Sequence, residues 1–272
     1  FKVCGYENLS KKYNVPLIDL QKDTYKAYEI NGLRINICDY ATKIDYLINI
    51  PVLKGHCQTN MTCALKNMKG CIPNSEKRKF HTLGLHKPIA YLNKLIKQNL
   101  IIVDGMNGDL NFEEGGNPVQ MNRIIAGRDP VLTDAYAAHL MGFSIEEIPY
   151  VGMAERIGVG TADLLNADIV ELNKDNGSRK LAPSRKVQQL SRHIVEDSAC
   201  SACYGSLIYA LERLDEKGLL GKLNEKLYIG QNFKNKRHDG VGIGSCTSGF
   251  DKWVKGCPPK ARDIVEYLES LV

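Results

Sequence analysis

The sequence predicts an α/β fold, with a mostly parallel sheet and flanking helices, followed by a smaller C-terminal α/β unit. Three observations carry that expectation. Short apolar runs of strand character alternate with segments whose apolar residues recur every three or four positions. A polar stretch rich in turn formers, Lys174–Pro183, separates two such blocks. The composition, 43% hydrophobic and 25% charged, is that of an ordinary globular chain.

In chain order, Tyr46–Leu53 reads as a buried strand, Thr62–Lys69 and His86–Gln98 as helices, and Leu100–Asp104 as a second strand. Arg123–Ala126 is a third strand, Pro130–Met141 a helix and Asp168–Leu172 a fourth strand. Asp129-Pro130 suits a helix start, because Asp can cap the free N–H groups and Pro fits the first turn. Past the polar stretch, Ser184–Val195 and Ser201–Lys217 have helical spacing, the latter with Leu207, Ala210, Leu211 and Leu214 on one face. Leu227–Gly230 and Val241–Ile243 are short strands, and Pro258–Leu271 closes as a helix. Residues 1–180 are therefore expected to form one domain and residues 184–272 a second.

The bulk numbers narrow the function classes. The net charge of +5 is spread over short clusters, Lys66–Lys69, Lys77–Lys79 and Lys234–Arg237, and aromatics are 7% of residues. A nucleic-acid binder would show a basic stripe with interleaved aromatics, so these clusters read as solvated faces. No run approaches the ~20 apolar residues of a membrane span. The chain opens on Phe1 rather than Met, without a signal pattern, and is expected to lack its start. Nine cysteines, an odd number with one Cys-x-x-Cys unit, argue against a disulfide framework and for metal or redox chemistry in a reducing cytoplasm. An oxygen-poor setting would suit exposed thiolates.

Four of those cysteines stand at junctions: Cys200 and Cys203 open a predicted helix, Cys246 follows a glycine-rich strand, and Cys257 precedes Pro-Pro. A helix start favours thiolate and bound negative charge. Such junctions in one α/β unit can converge at the carboxyl edge of its sheet. Thiolates suit iron–sulfur clusters and zinc alike, and buried cysteines also occur as plain core residues, so residue type leaves all three open.

Order and context narrow the choice. Cys-x-x-Cys opening a helix, then Gly244-Ser245-Cys246, then Gly256-Cys257-Pro258-Pro259 resembles the proximal-cluster site of nickel–iron hydrogenase small subunits. The last two motifs are also similar to the cluster-bearing subunit of respiratory complex I. This resemblance implies a four-iron four-sulfur cluster held by Cys200, Cys203, Cys246 and Cys257. It spans only the C-terminal part, with shorter gaps than in hydrogenases, and implies no hydrogenase activity.

The other unusual block is Lys54–Pro73, KGHCQTNMTCALKNMKGCIP. A helix start beside Lys54, His56 and Lys66 could hold a carboxylate or phosphate. Asp104, at the end of its predicted strand, is the better catalytic carboxylate; Asp129 reads as a cap, and Asp134 as either. His56 is the histidine best placed to carry a proton or hold an anion, with His81 next. Cys57, Cys63 and Cys71 match no familiar ligand spacing. KGH-x-x-T-x-x-T-x-x-x-KN-x-x-G at Lys54–Gly70, His81, VDG at Val103–Gly105, AG-x-D-x-V-x-x-D-A at Ala126–Ala135 and, more loosely, Ile157–Gly160 resemble the domain of unknown function numbered 362. That resemblance implies an α/β fold, an association with iron–sulfur ligands and a further β/α segment ahead of Phe1. It names no reaction.

The resulting expectation is an iron–sulfur protein, of the 4Fe-4S type, with an electron-transfer role. Its catalytic candidates are His56, Lys54, Lys66 and Asp104, and its partner is a redox protein or a small anionic substrate. If the chain is an enzyme, an oxidoreductase is the class that fits. The alternatives are a non-redox enzyme or a maturation or binding factor with a structural cluster, or a zinc protein.

Overall fold

In the computed structural model, which describes residues 1–112, 118–173 and 185–272, helix α1 (Tyr6–Tyr13) leads to a hairpin of β1 (Tyr25–Ile30) and β2 (Leu33–Cys38). Its two-residue turn, Asn31-Gly32, has both residues at positive φ, 47° and 73°, which matches the right-handed twist of the strands it joins. This hairpin is not among the elements expected from the sequence. Its inward residues Ile35 and Ile37 are fully buried.

After α2 (Asp39–Lys43) come β3 (Ile48–Asn49), the hairpin β4 (Lys54–His56) and β5 (Asn60–Thr62), and helices α3 (Ala64–Asn67), α4 (Asn74–Thr82) and α5 (His86–Leu95). The long strands β6 (Leu100–Asp109) and β7 (Pro118–Gly127) follow, then α6 (Pro130–Leu140) and α7 (Pro149–Arg156). The sheet order is β3-β6-β7, parallel between β3 and β6 and antiparallel between β6 and β7. The expected strand at residues 46–53 is reduced to β3 and a single bridge from Val52 to Asp104. Pro51 between them has no N–H to give the ladder. The buried apolar side chains of this region, among them Leu65, Phe80, Ile89, Ile101, Val103 and Tyr150, form one cluster.

The expected strand at residues 168–172 is not one. Leu172 is 90% exposed and Val170 69%, so this run has no face to bury and no partner to pair with. The polar stretch at 174–183 lies outside the described residues, as do residues 115–117.

The C-terminal part contains α8 (Lys186–Leu190), β8 (Ile194–Glu196), α9 (Ser201–Glu216), β9 (Leu227–Ile229), β10 (His238–Ile243), β11 (Phe250–Val254) and α10 (Ala261–Glu269). Its sheet, ordered β11-β10-β9-β8, is parallel throughout. The helix expected at 184–195 is thus only α8 and a short turn, and β11 had no counterpart in the sequence analysis. Leu207, Leu211, Leu214, Ile229, Ile243, Ile264 and Leu268 build a second apolar cluster. Phe112, from just beyond β6, is buried in that second cluster and locks the two parts together. The chain is therefore a mixed α/β protein with a parallel four-stranded sheet in its C-terminal unit.

Parallel neighbours usually need a helical crossover of a dozen or more residues, and α9 provides one between β8 and β9. Between β10 and β11 only residues 244–249 intervene. Glycines make that tight return feasible. A Cβ on Gly242 would stand 2.4 Å from Thr247 Oγ1, one on Gly249 would stand 2.4 Å from the Lys236 carbonyl oxygen, and Gly244 has φ +87°.

Candidate functional site

Three parallel strands deliver the four cysteines to one edge of the sheet. Cys200 follows the end of β8, Cys246 the end of β10 and Cys257 the end of β11, while Cys203 lies in the first turn of α9. Cys200 is the cap residue of α9, with extended φ −66° and ψ 140°. None of the nine cysteines is in a disulfide.

The loops are tied to one another by backbone. Gly244 N–H donates to the Val254 carbonyl at 2.8 Å, and the Gly256 carbonyl accepts from Ser245 N–H at 2.8 Å and from Ser245 Oγ at 3.0 Å. Gly256 has φ +140°, and a Cβ there would lie 2.4 Å from Pro259 Cα. The Gly-Ser-Cys and Gly-Cys-Pro-Pro motifs thus fit each other physically. The Cys257–Pro258 peptide is cis.

The thiols sense one another. Burial and then the other three cysteines push Cys203 up to about 12. Cys200 is raised by burial and by Cys246 and Cys257, with Arg78 and Lys234 pulling it down. Burial raises Cys246, opposed by Lys234 and reinforced by Cys257. Thiols whose ionisation is opposed by neighbouring thiols form a donor set that a cationic centre would relieve. Among the described residues, no three His, Cys, Asp or Glu side chains converge as the ligands of one metal ion would.

The N-terminal part reaches this edge directly. Gln58 Nε2 donates to the Ala199 carbonyl at 3.1 Å, and Ser201 Oγ donates to Gln58 Oε1 at 3.0 Å. Ser201 Oγ also lies 3.4 Å from His81 Nε2. From the other side, Gln231 Nε2 donates to the carbonyls of Arg78 (3.1 Å) and Ser198 (3.2 Å). Sequence reasoning had placed Arg78 and Lys234 on solvated faces. No local signal connects them to Cys200, since only the packing of α4 against the loop after β8 does so.

The four catalytic candidates are not gathered in one place. His56 is 2% exposed, and its Nδ1 accepts from Gln58 N–H (3.0 Å) and Thr59 N–H (3.1 Å), so the neutral ring carries its proton on Nε2. It lines a shallow, open cleft together with Asn60, Asn111, Glu147 and Arg185, four residues that sequence reasoning did not single out. Lys54 is half-buried on β4 and Lys66 buried on α3, where its Nζ donates to Thr62 Oγ1 at 2.8 Å; neither lines the cleft. Asp104 lies in the middle of β6, which runs on to Asp109, and not at a strand's end as expected. Its exposed carboxylate accepts from Met106 N–H at 3.0 Å, away from the cleft.

The remaining motif residues have structural tasks. Asp134 is fully buried on α6 and accepts from the N–H groups of Ala64 (2.7 Å) and Leu65 (3.2 Å) at the start of α3. Burial raises its carboxyl to about 7, against the lowering effect of Cys63 and those two N–H groups. Asp129 caps α6 through Val131 and Leu132 N–H and holds Thr161 N–H at 2.9 Å. A Cβ on Gly160 would lie 2.0 Å from its Oδ1, which accounts for the glycine in Ile157–Gly160. Asn67, exposed at the end of α3, donates to buried Asn49, which donates to buried Gln98. Cys63 is buried against Asp134, Cys71 lies near Cys38, and Cys57 packs on the second apolar cluster.

Comparison with known proteins places residues 1–139 in the family described as a domain of unknown function (DUF362), a match over more than half of the chain. The chain belongs to that family. It is also 25% identical over 162 residues to a thylakoid-associated protein of Synechocystis, a match covering 57% of this chain and 50% of that protein. The chain thus spans about half the length of this curated relative. No solved structure matches the chain.

Proposed function

We propose that this member of the family binds an iron–sulfur cluster of the four-iron type through Cys200, Cys203, Cys246 and Cys257 and works in one-electron transfer. The observation that carries this reading is the placement of all four cysteines at the carboxyl edge of one parallel sheet, where the other three oppose ionisation of Cys203. A mononuclear zinc needs its sulfurs on a single point, about 2.3 Å from the metal. A polynuclear cluster takes each thiolate at a separate iron, so its four sulfurs need not share one point. The order of the motifs, similar to that of hydrogenase small subunits, supports the same choice.

A bound cluster would supply reversible uptake and release of one electron. The chain's own residues would hold and seat it. Cys200 and Cys203 present thiolates at the start of α9, where free N–H groups favour negative charge. Ser245 fixes the separation of the Cys246 and Cys257 loops. Cys257 is exposed, so electrons would enter on that side from a redox partner.

The reading has two further parts. Residues 1–180 would form the family domain and residues 184–272 the cluster domain, supported by two separate apolar clusters. The cleft lined by His56 and Arg185 would take a small anionic substrate, drawn by the Arg185 charge. Cysteines outside any disulfide suit a reducing, oxygen-poor cytoplasm. No helix among the described residues is long and apolar enough to cross a membrane.

The test is the iron, acid-labile sulfide and zinc content of anaerobically purified protein, with its visible spectrum. Equal iron and sulfide, both lost in Cys200→Ala and Cys257→Ala, would support the cluster. One zinc without sulfide would refute it.

A further inference from the structure

We propose that two copies of this chain pair by exchanging α1, the helix of each copy lying across the open face of the other's β3-β6-β7 sheet. Two apolar surfaces left in water carry the inference. In the run from Tyr46 to Leu53, Leu47, Asn49, Pro51 and Leu53 are buried, while Tyr46, Ile48, Ile50 and Val52 alternate with them and are exposed. Val52 is bridged to Asp104, and Asp104 pairs with Ile124, so this exposed row continues across the sheet to Ile124, which is 68% exposed. Strands that are apolar on both sides belong to sheets covered on both faces. Here Ile101 and Val103 pack against Leu65, Ile89 and Val131 of the helices on one side, and the other side is open.

α1 is the complement. Tyr6, Leu9 and Tyr13 recur at helical spacing along one face, and none of its residues is buried. Lys12, three residues after Leu9, borders that stripe. Asp104, in the middle of the open face, is a carboxylate for it to meet, so charge and shape agree.

The area is sufficient. Tyr6, Leu9, Tyr13, Tyr46, Ile48, Ile50, Val52 and Ile124 are each about half exposed. At roughly 100 Å² apiece they leave on the order of 800 Å² in water. That equals the ~800 Å² per partner of a stable interface, and a reciprocal exchange covers both surfaces on both copies. Within one chain the turn after α1 is anchored elsewhere. The Leu20 carbonyl accepts from Cys38 Sγ at 3.3 Å, and Gln21 Nε2 donates to the Ile72 carbonyl at 3.4 Å. Ile72 belongs to the apolar cluster under the covered face. Residues 14–18, about 18 Å at full extension, are all that joins α1 to that anchor. A second copy related by a two-fold axis can present its α1 to the open face and receive the first in return.

The experiment is sedimentation equilibrium of the full chain, kept under a reducing agent so that exposed Cys4 forms no cross-link. A concentration-dependent dimer is expected. Leu9→Glu on α1 and Ile124→Lys on the open face should each weaken it by about tenfold or more, with unchanged circular dichroism. Leu165→Glu, at another exposed apolar position, should leave it as in wild type. An equal mixture of the Leu9→Glu and Ile124→Lys proteins should dimerise more tightly than either alone. Each mixed pair keeps one intact helix–sheet contact and sets opposite charges against each other in the second. A wild type that is monomeric at every concentration overturns the inference, as does a dimer that Leu9→Glu leaves unchanged. A mixture no tighter than its components overturns it too, since the two surfaces then do not meet.

Discussion

The Gly256 carbonyl accepts two hydrogen bonds from Ser245, one from the backbone N–H and one from the side-chain hydroxyl. That pair sets the distance between the Cys246 and Cys257 loops. Ser245→Ala removes only the side-chain bond, which is worth about 1 kcal/mol. The expected result is a fold of unchanged circular dichroism that loses bound iron faster under a chelator than wild type. Equal rates of loss would show that the backbone bond suffices.

Gly256→Ala should do more. At φ +140° a side chain is strained, and its Cβ would meet the Pro259 backbone at 2.4 Å. A cost of about 1–3 kcal/mol is expected, concentrated in the Cys257 loop. Reduced iron content together with a lower thermal midpoint is the outcome to look for.

Stability should fall as pH rises from about 4 to 7, and Asp134 is the reason. Its folded carboxyl titrates near 7, raised by burial, whereas an unfolded carboxyl titrates near its ordinary value of about 3.9. Between those values the folded chain keeps a proton that the unfolded chain has released. The contribution is complete below about pH 4 and is lost by about pH 7, on the order of a few kcal/mol. Urea unfolding at a series of pH values would measure the slope. Asp134→Asn, although less stable in itself because an amide group faces the N–H of Ala64 or Leu65, should flatten it.

Gly160→Ala should destabilise the turn that follows α7. Its Cβ would lie within 2.6 Å of three Asp129 carboxylate atoms, and that carboxylate holds both the start of α6 and Thr161 N–H. A loss of about 1–3 kcal/mol, read from denaturant midpoints, is expected. Asp129→Ala should cost a similar amount, and the double variant less than the sum, because both changes disrupt one contact.

His56 should be found as the Nε2–H tautomer at neutral pH, since its Nδ1 is occupied by two backbone N–H groups. Long-range proton–nitrogen NMR correlations distinguish the two tautomers. An Nδ1–H signal would show that the β4–β5 hairpin is arranged differently in solution.

Much of the site could be read along the chain. The cap at Asp129, the helix after Cys200, the strand before Cys246 and the closing helix all follow from neighbouring residues. The fourth strand failed because an apolar run becomes a strand only when a sheet edge and a core are there to receive it, and Leu172 meets neither. Asp104 was misplaced because the sequence places β6's end too early, at a residue that still pairs with Ile124. Asp134 could not be assigned as a cap for α3, because the N–H groups it satisfies are 69 and 70 residues away.

By itself the sequence determined what local physics controls: the α/β class, the periodicity of the helices, and four cysteines placed at a helix start, after a strand and ahead of Pro-Pro. Only the tertiary structure decided which distant groups face them. Gln58 meets Ser201 across 143 residues, and Gln231 meets Arg78 across 153. Such neighbours are chosen by how two apolar cores pack around Phe112, and a side chain's field acts through space, whatever its place along the chain.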